Sequence, residues 1–314
     1  MKTDLELEII ELKKKHNALI LAHYYEDGDI QDIADHVGDS LFLAQKGQEN
    51  TADVILLAGV VFMAESVKIL SPTKTVLVPD MNAGCSLVTS SPIKDYRAWK
   101  EAHPNSVLVS YINCSAEAKT VSDIICTSSN AEKIIAAIPK DKKILFGPDK
   151  NLGNFLKKKT GRDMEIWQGY CEVHVKFHAE ELYKLISKNP DAVVIAHPEC
   201  DEEVLNYASV IGSTSRLLEE VKNNPAKKFI VATEDGIFHQ MRKLRPDAEL
   251  IQAPDQSACN CTQCPYMKLN NLEKIRNALR DLKPQVHVDT NVIEKARVSL
   301  DRMMKVSRDE AVTF

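Results

Sequence analysis

The chain lacks the features that would tie it to a membrane, a secretory route or a nucleic acid. Its net charge is −5 and its pI is near 6, which gives no electrostatic reason to expect DNA, RNA or an acidic bilayer as partner. The longest nearly apolar run, VILLAGVVFMA, has eleven residues, too few to span a bilayer as a helix. The opening stretch, MKTDLELEIIELKKKH, mixes acids, lysines and apolar residues at helical spacing. That is not the charged-then-apolar form of a secretory leader. No low-complexity linker interrupts the 314 residues, which suffice for two or three ordinary cores. These absences predict a cytoplasmic, globular protein.

One further absence concerns cysteine. Three of the eight cysteines crowd into CNCTQCPYM, at 259, 261 and 264, yet no second Cys or His pair follows at zinc-site spacing. The others stand at 85, 114, 126, 171 and 200. A disulfide framework is not expected in a reducing compartment. Metal ligation, redox chemistry and plain burial stay open, and a lone cytosolic cysteine is most often a small buried apolar residue.

What the chain does contain is one unit three times. Strand-like runs alternate with amphipathic stretches, as in a parallel α/β sheet. ALILAHYY, SVLVSYIN and AVVIAHPE place His23, Tyr111 and His197 at separations of 88 and 86 residues. Seventeen residues after each stands a hydroxyl, Ser40, Ser128 and Thr214, directly before a helical pattern. Each is expected to be an N-cap. The stretches between, IQDIADHVG, TVSDIICTS and EVLNYASVIG, have the period of short helices. The second halves of the units each give strand, turn and helix, then a strand running into a cysteine. The predicted fold is α/β: three homologous three-layer αβα domains with parallel sheets around a pseudo-threefold axis, with the active site at the centre. The expected limits are 1–98 with the N-terminal helix, 99–188 and 189–268. A helical segment, 269–314, should pack back on the body.

Each unit delivers a cysteine from the same place: Cys85, Cys171, and one of the group at 259, 261 and 264. Loops at the carboxyl ends of parallel strands are where such sheets bind ligands. Three thiolates and one open position are too few for a closed zinc site. They suit a [4Fe–4S] cluster with one iron left free. The pairs His23 and Tyr25, Tyr111 and Asn113, and His197 and Glu199 lie two residues apart and should face one cavity. His174, three residues after Cys171, is a further candidate donor. Helix starts at Ser40, Ser128 and Thr214 would suit anions.

Nine motifs in order, AHYYE, GCSL, SYIN, CTSSN, GPDKNLG, CEVH, AHPEC, GSTS and CPYM, resemble the quinolinate synthase family over nearly the whole chain. The resemblance implies condensation of iminoaspartate with dihydroxyacetone phosphate to quinolinate, with loss of phosphate and water, in NAD biosynthesis. It implies a [4Fe–4S] cluster on Cys85, Cys171 and Cys264, the last being the cysteine before Pro-aromatic-Met. It also assigns substrate contacts to the three hydroxyl positions. This chain departs from the even C-x-x-C-x-x-C spacing of some members, which leaves Cys259 and Cys261 without an assigned role.

The expected roles follow from the chemistry. A free iron acts as a Lewis acid. Glu199 serves as general base, oriented by His197, with a pKa raised toward the working pH by repulsion from the substrate's phosphate and carboxylates. Tyr25 and His23 donate protons or orient a carbonyl. Iminoaspartate hydrolyses readily, which motivates transient contact with an L-aspartate oxidase. An iron–sulfur hydro-lyase would need an arginine-rich carboxylate site, which the candidate loops lack. A metal-binding or redox module on 259–264 alone would not need Cys85 or Cys171.

Overall fold

The computed structural model describes residues 3–255 and 262–314. Cys259 and Cys261 therefore lie outside the described residues. Three four-stranded parallel sheets are present among those described. The first contains β1 (Ala18–His23), β2 (His36–Gly38), β3 (Val54–Ala58) and β4 (Thr75–Leu77), in spatial order 2-1-3-4. The second contains β5 (Ser106–Tyr111), β6 (Ile124–Cys126), β7 (Lys143–Gly147) and β8 (Met164–Ile166), and the third β9 (Val193–Ala196), β10 (Val210–Ile211), β11 (Lys228–Ala232) and β12 (Glu249–Gln252). Both repeat the same order, 6-5-7-8 and 10-9-11-12. The expected α/β class and parallel sheets are thus observed, with one topology used three times.

The central strands read as continuous apolar runs because helices cover both faces of a parallel sheet. Every residue of VILLA in β3 and of SVLVSY in β5 is buried. Burying a side chain such as Leu or Ile contributes roughly 1.5–3 kcal/mol, so these strands anchor the repeats. One expectation is corrected here. The stretches after the first strands are not helix throughout. Helices Gly28–Ile33, Ala116–Val121 and Glu202–Leu205 are each followed by a second strand, β2, β6 and β10. Two or three residues carry no readable period. They are docked instead by their leading residue: Asp35 and Asp123 accept the Ile20 and Leu108 N–H groups at 2.8 and 2.7 Å.

Two C-terminal helices pack on the sheets. Ile275, Ala278 and Leu279 of helix Leu272–Asp281 share a core with Ile9, Ile20 and Leu56. Helix Thr290–Ser307 puts Ala296, Leu300, Met303 and Met304 into the largest core. Between them Gln285 bridges antiparallel to Leu77. This covers the open edge of the first sheet beside β4, where unpaired backbone groups would otherwise face solvent.

In each sheet the chain moves outward from its first strand to the second, then crosses back to the third. The strand order therefore reverses between first and third strands. The carboxyl edge at such a reversal is the usual ligand crevice of an open α/β sheet.

Candidate active site

The three crevices open into one cavity. All thirteen candidate site residues named from the sequence line it. His23 and Tyr111 end β1 and β5, and His197 follows β9 directly. Their partners two residues on lie beyond the strands, so strand alternation is not what aims them. In the first and third units a backbone bond does the work. The Tyr25 N–H donates to His23 Nδ1 at 3.2 Å, and the Glu199 N–H to His197 Nδ1 at 3.4 Å. Each bond leaves the ring proton on Nε2. His197 Nε2 then lies 3.3 Å from Ser128 Oγ.

The polar groups form one connected set. Tyr25 and Thr233 hydroxyls share a 2.7 Å bond, and Thr233 Oγ1 lies 2.9 Å from His174 Nε2. His174 Nδ1 lies 3.0 Å from Glu199 Oε2 and 3.2 Å from Cys171 Sγ. The Tyr111 hydroxyl donates to Glu199 Oε1 at 2.5 Å. Asn151 donates to the Glu199 carbonyl at 3.0 Å and holds the turn. The Asn113 carboxamide oxygen is buried without a hydrogen-bond partner, so this acceptor stands ready for a ligand donor.

Burial sets the protonation states. It lowers His23 to about 4 and His197 to about 3, so both imidazoles are neutral near pH 7. It raises Tyr25 and Tyr111 well above the usual phenol range and keeps their hydroxyls as donors. For Glu199 the expected rise concerns a cavity that holds substrate anions, and in the substrate-free cavity the direction is the opposite one. Burial opposes its charge, but His197, His174 and the Tyr111 hydroxyl outweigh it and hold the carboxyl below its ordinary range. Since His197 is itself neutral, the hydrogen bonds from Tyr111 and His174 carry this effect. Glu199 is a carboxylate, not a group poised near neutrality.

The cap expectation is off by one residue. Asp39 and Ser213 cap helices Ser40–Glu49 and Thr214–Asn223, accepting the Phe42 and Arg216 N–H groups at 2.9 and 3.3 Å. Ser40 and Thr214 occupy the first helical position. Ser128 sits in the turn before helix Ala131–Ala137. Because Asp39 and Ser213 do the capping, the Ser40 and Thr214 hydroxyls are released to the cavity wall, which Ser128 joins from its turn.

The three cysteines share one local design. Each sulfur accepts backbone N–H groups from two and three residues further on. These are Leu87 and Val88 for Cys85, Val173 and His174 for Cys171, and Tyr266 and Met267 for Cys264. Each faces the start of a short helical turn, Ser86–Thr89, His174–Lys176 or Met267–Leu269. Burial pushes all three thiols up, Cys264 to about 11. A metal would displace those protons, and the N–H pairs would then stabilise the thiolates. Atoms of Cys171, His174 and Glu199 also lie within 4.8 Å of one another, a spacing compatible with a shared ion. By contrast Cys114, Cys126 and Cys200 are fully buried, as expected of inert thiols.

A sequence model of the family described as quinolinate synthetase A protein, NadA, matches residues 7–305. The chain belongs to the quinolinate synthase family. A quinolinate synthase of Nostoc punctiforme is 52% identical over 304 residues, covering 97% of this chain and 94% of that protein. One from Prochlorococcus marinus is 50% identical over 302 residues, covering 96% and 91%. One from a Synechococcus strain is 48% identical over 308 residues, covering 98% and 96%. No helix among the described residues is long and apolar enough to cross a membrane.

Two cavity residues of this family member escaped the sequence reading. Glu234 follows β11 at the position Asp149 holds after β7, in an acidic run that resembles a solvated turn. It is fully buried and raised by that burial to about 8, against the pull of Lys268. It accepts the Cys264 and Gly236 N–H groups at 3.2 and 2.7 Å. Asp39, which caps its own helix, is buried on the cavity wall. The repeat register was the signal available for both.

Proposed function

We propose that this chain is a quinolinate synthase that condenses iminoaspartate with dihydroxyacetone phosphate to quinolinate, releasing phosphate and water, in NAD biosynthesis. Cys85, Cys171 and Cys264 would hold a [4Fe–4S] cluster. The observation that carries this reading is the shared cradle: three sulfurs on one cavity, one per sheet, each with two backbone N–H groups aimed at it. The donor set fits the group, since three thiols leave one iron open. When bound, that iron would supply a Lewis acid for a substrate oxygen or nitrogen.

The chain's own residues then divide the remaining work. Ser40, Ser128 and Thr214 hydroxyls donate to anionic substrate groups, and Asn113 accepts from a substrate donor. His23 and His197, neutral and protonated on Nε2, donate to carbonyl or carboxylate oxygens without adding charge. Glu199 takes the proton as general base. Its carboxylate is already ionised, and substrate anions entering the cavity raise its basicity by repulsion. The path Glu199, His174, Thr233, Tyr25 can pass a proton across the cavity. Val60, Phe62 and Met63 form an apolar wall that excludes water from a hydrolysable imine.

The repeats are assigned to 1–98, 99–188 and 189–268, with 269–314 as the packing segment. The enzyme is assigned to the cytoplasm, with transient contact to an L-aspartate oxidase that delivers the imine. Anaerobic purification tests the reading. About four irons and four sulfides per chain, with quinolinate formed from the two substrates, are expected. Stoichiometric zinc and no quinolinate would overturn it.

A further inference from the structure

Asp39 makes a set of contacts that capping does not require. Oδ1 accepts the Phe42 N–H of its own helix at 2.9 Å. Oδ2 accepts two hydroxyls from the other repeats, Ser129 Oγ at 2.5 Å and Ser215 Oγ at 2.7 Å. One carboxylate thus joins all three repeats at a single point. It is 7% exposed, and no lysine or arginine is paired with it among the described residues.

Each of these bonds ends one residue from a cavity hydroxyl. Asp39 precedes Ser40, Ser129 follows Ser128, and Ser215 follows Thr214. A bond at the neighbouring residue fixes the backbone on which the cavity hydroxyl stands. For Ser128 the consequence extends further, because its Oγ meets His197 Nε2. The cavity lining contains no lysine or arginine among the described residues, and three carboxylates, Asp39, Glu199 and Glu234, border it. An anionic substrate held here depends on neutral donors in fixed places, since no side-chain cation makes up for a misplaced one.

We propose that Asp39 is the positioning residue that gathers the Ser40, Ser128 and Thr214 hydroxyls from three repeats into one site for a phosphate monoester. This deepens the functional reading above and rests on it. The proposal makes a prediction about sign. On charge alone, Asp39→Asn removes a negative group from an anion site and should tighten binding. As a positioning residue, its loss should weaken binding.

The test compares anaerobically purified full-length protein, wild type against Asp39→Asn, Ser129→Ala and Ser215→Ala. The readouts are KM and kcat for dihydroxyacetone phosphate, iron content, Tm, and inorganic phosphate binding by calorimetry. Asp39→Asn is expected to raise the KM roughly ten- to hundredfold, with kcat within about threefold and iron unchanged. Each serine variant, which leaves the carboxylate charge in place, is expected to move the KM the same way by roughly three- to tenfold. A lower KM in Asp39→Asn would show a merely repulsive charge, and an unchanged KM with a lower Tm a merely structural cap; either overturns the proposal. If Asp39→Asn does not fold, unchanged KM and phosphate affinity in both serine variants overturn it instead. Wild-type protein that makes no quinolinate would sink the functional reading, and the phosphate titrations would still decide the role of Asp39.

Discussion

Two sets of threefold-related positions line the cavity, and they have opposite character. After the fourth strand of each repeat stands the same residue, cysteine, in the same two-donor cradle. Two residues past the equivalent of His23 stand three different ones, Tyr25, Asn113 and Glu199. Identity suits positions that share one task around a symmetric object. Divergence suits positions that face an asymmetric object, where a donor, an amide and a carboxylate are needed at different points. The scaffold supplies symmetry, and the chemistry is written where that symmetry is broken.

The comparison breaks first at the cysteines. Cys85→Ala, Cys171→Ala and Cys264→Ala should each abolish the iron content and brown absorbance, to the same extent. Cys259→Ala and Cys261→Ala should keep most of the iron. Retention of full iron by any one of the first three would end their equivalence.

At the divergent positions the effects should be unequal. Glu199→Gln, with iron intact, should slow turnover by roughly 10²–10⁴, the range of a positioned acid or base. Asn113→Ala, losing a single neutral hydrogen bond, should cost about tenfold. Equal losses in steady-state kinetics would mean that the three positions do one structural job.

The hydroxyls form an intermediate set, similar but not identical. Ser40→Ala, Ser128→Ala and Thr214→Ala should each weaken substrate binding by roughly ten- to hundredfold. Since Asp39 and Ser213 do the capping, Tm should hardly move in the Ser40 and Thr214 variants.

The smallest effects on activity lie one residue deeper, at Glu26, Cys114 and Cys200, which are fully buried at equivalent places and act on stability. Burial raises Glu26 to about 8, against the hydrogen bond from Asn270. A carboxyl raised in the folded state binds its proton more tightly there than in the unfolded chain. Its contribution is complete below the unfolded value near 4.5 and is lost as pH rises through about 8. The unfolding free energy, measured by denaturant titration, should therefore fall between about pH 5 and pH 8 by an amount on the order of a few kcal/mol. Glu26→Gln should flatten that slope, with the part due to Glu234 remaining. Cys114→Ala and Cys200→Ala should cost about 1 kcal/mol and no iron.

The long elements were legible because both faces of a parallel strand are apolar, so β3, β5 and β11 stand out as runs. The second strands were not, since His36–Gly38, Ile124–Cys126 and Val210–Ile211 are too short to show a period and depend on docking by a preceding residue. The site was legible through register: a fixed offset of seventeen pointed to three hydroxyls that do line one cavity. Their immediate neighbours were not. Asp39 and Ser213 are as good at capping as Ser40 and Thr214, and only backbone geometry separates them. The hydrogen bonds that hold Glu199 ionised in the substrate-free cavity were not legible either, because they come from Tyr111 and His174, both far from it in sequence.

The cavity walls run from His23 to Met267. Lys268 donates to the Tyr25 carbonyl at 2.9 Å, and Gly236 packs so closely on the Tyr25 backbone that a Cβ there would come within 2.8 Å of it. The seam between first and third repeats is therefore sealed by residues made more than two hundred positions after Tyr25. A nascent chain carrying two finished repeats has two cysteines in place and an open third side. Loading of any cofactor that needs all three walls must wait for translation to pass the last of them, which places maturation after all three repeats are made.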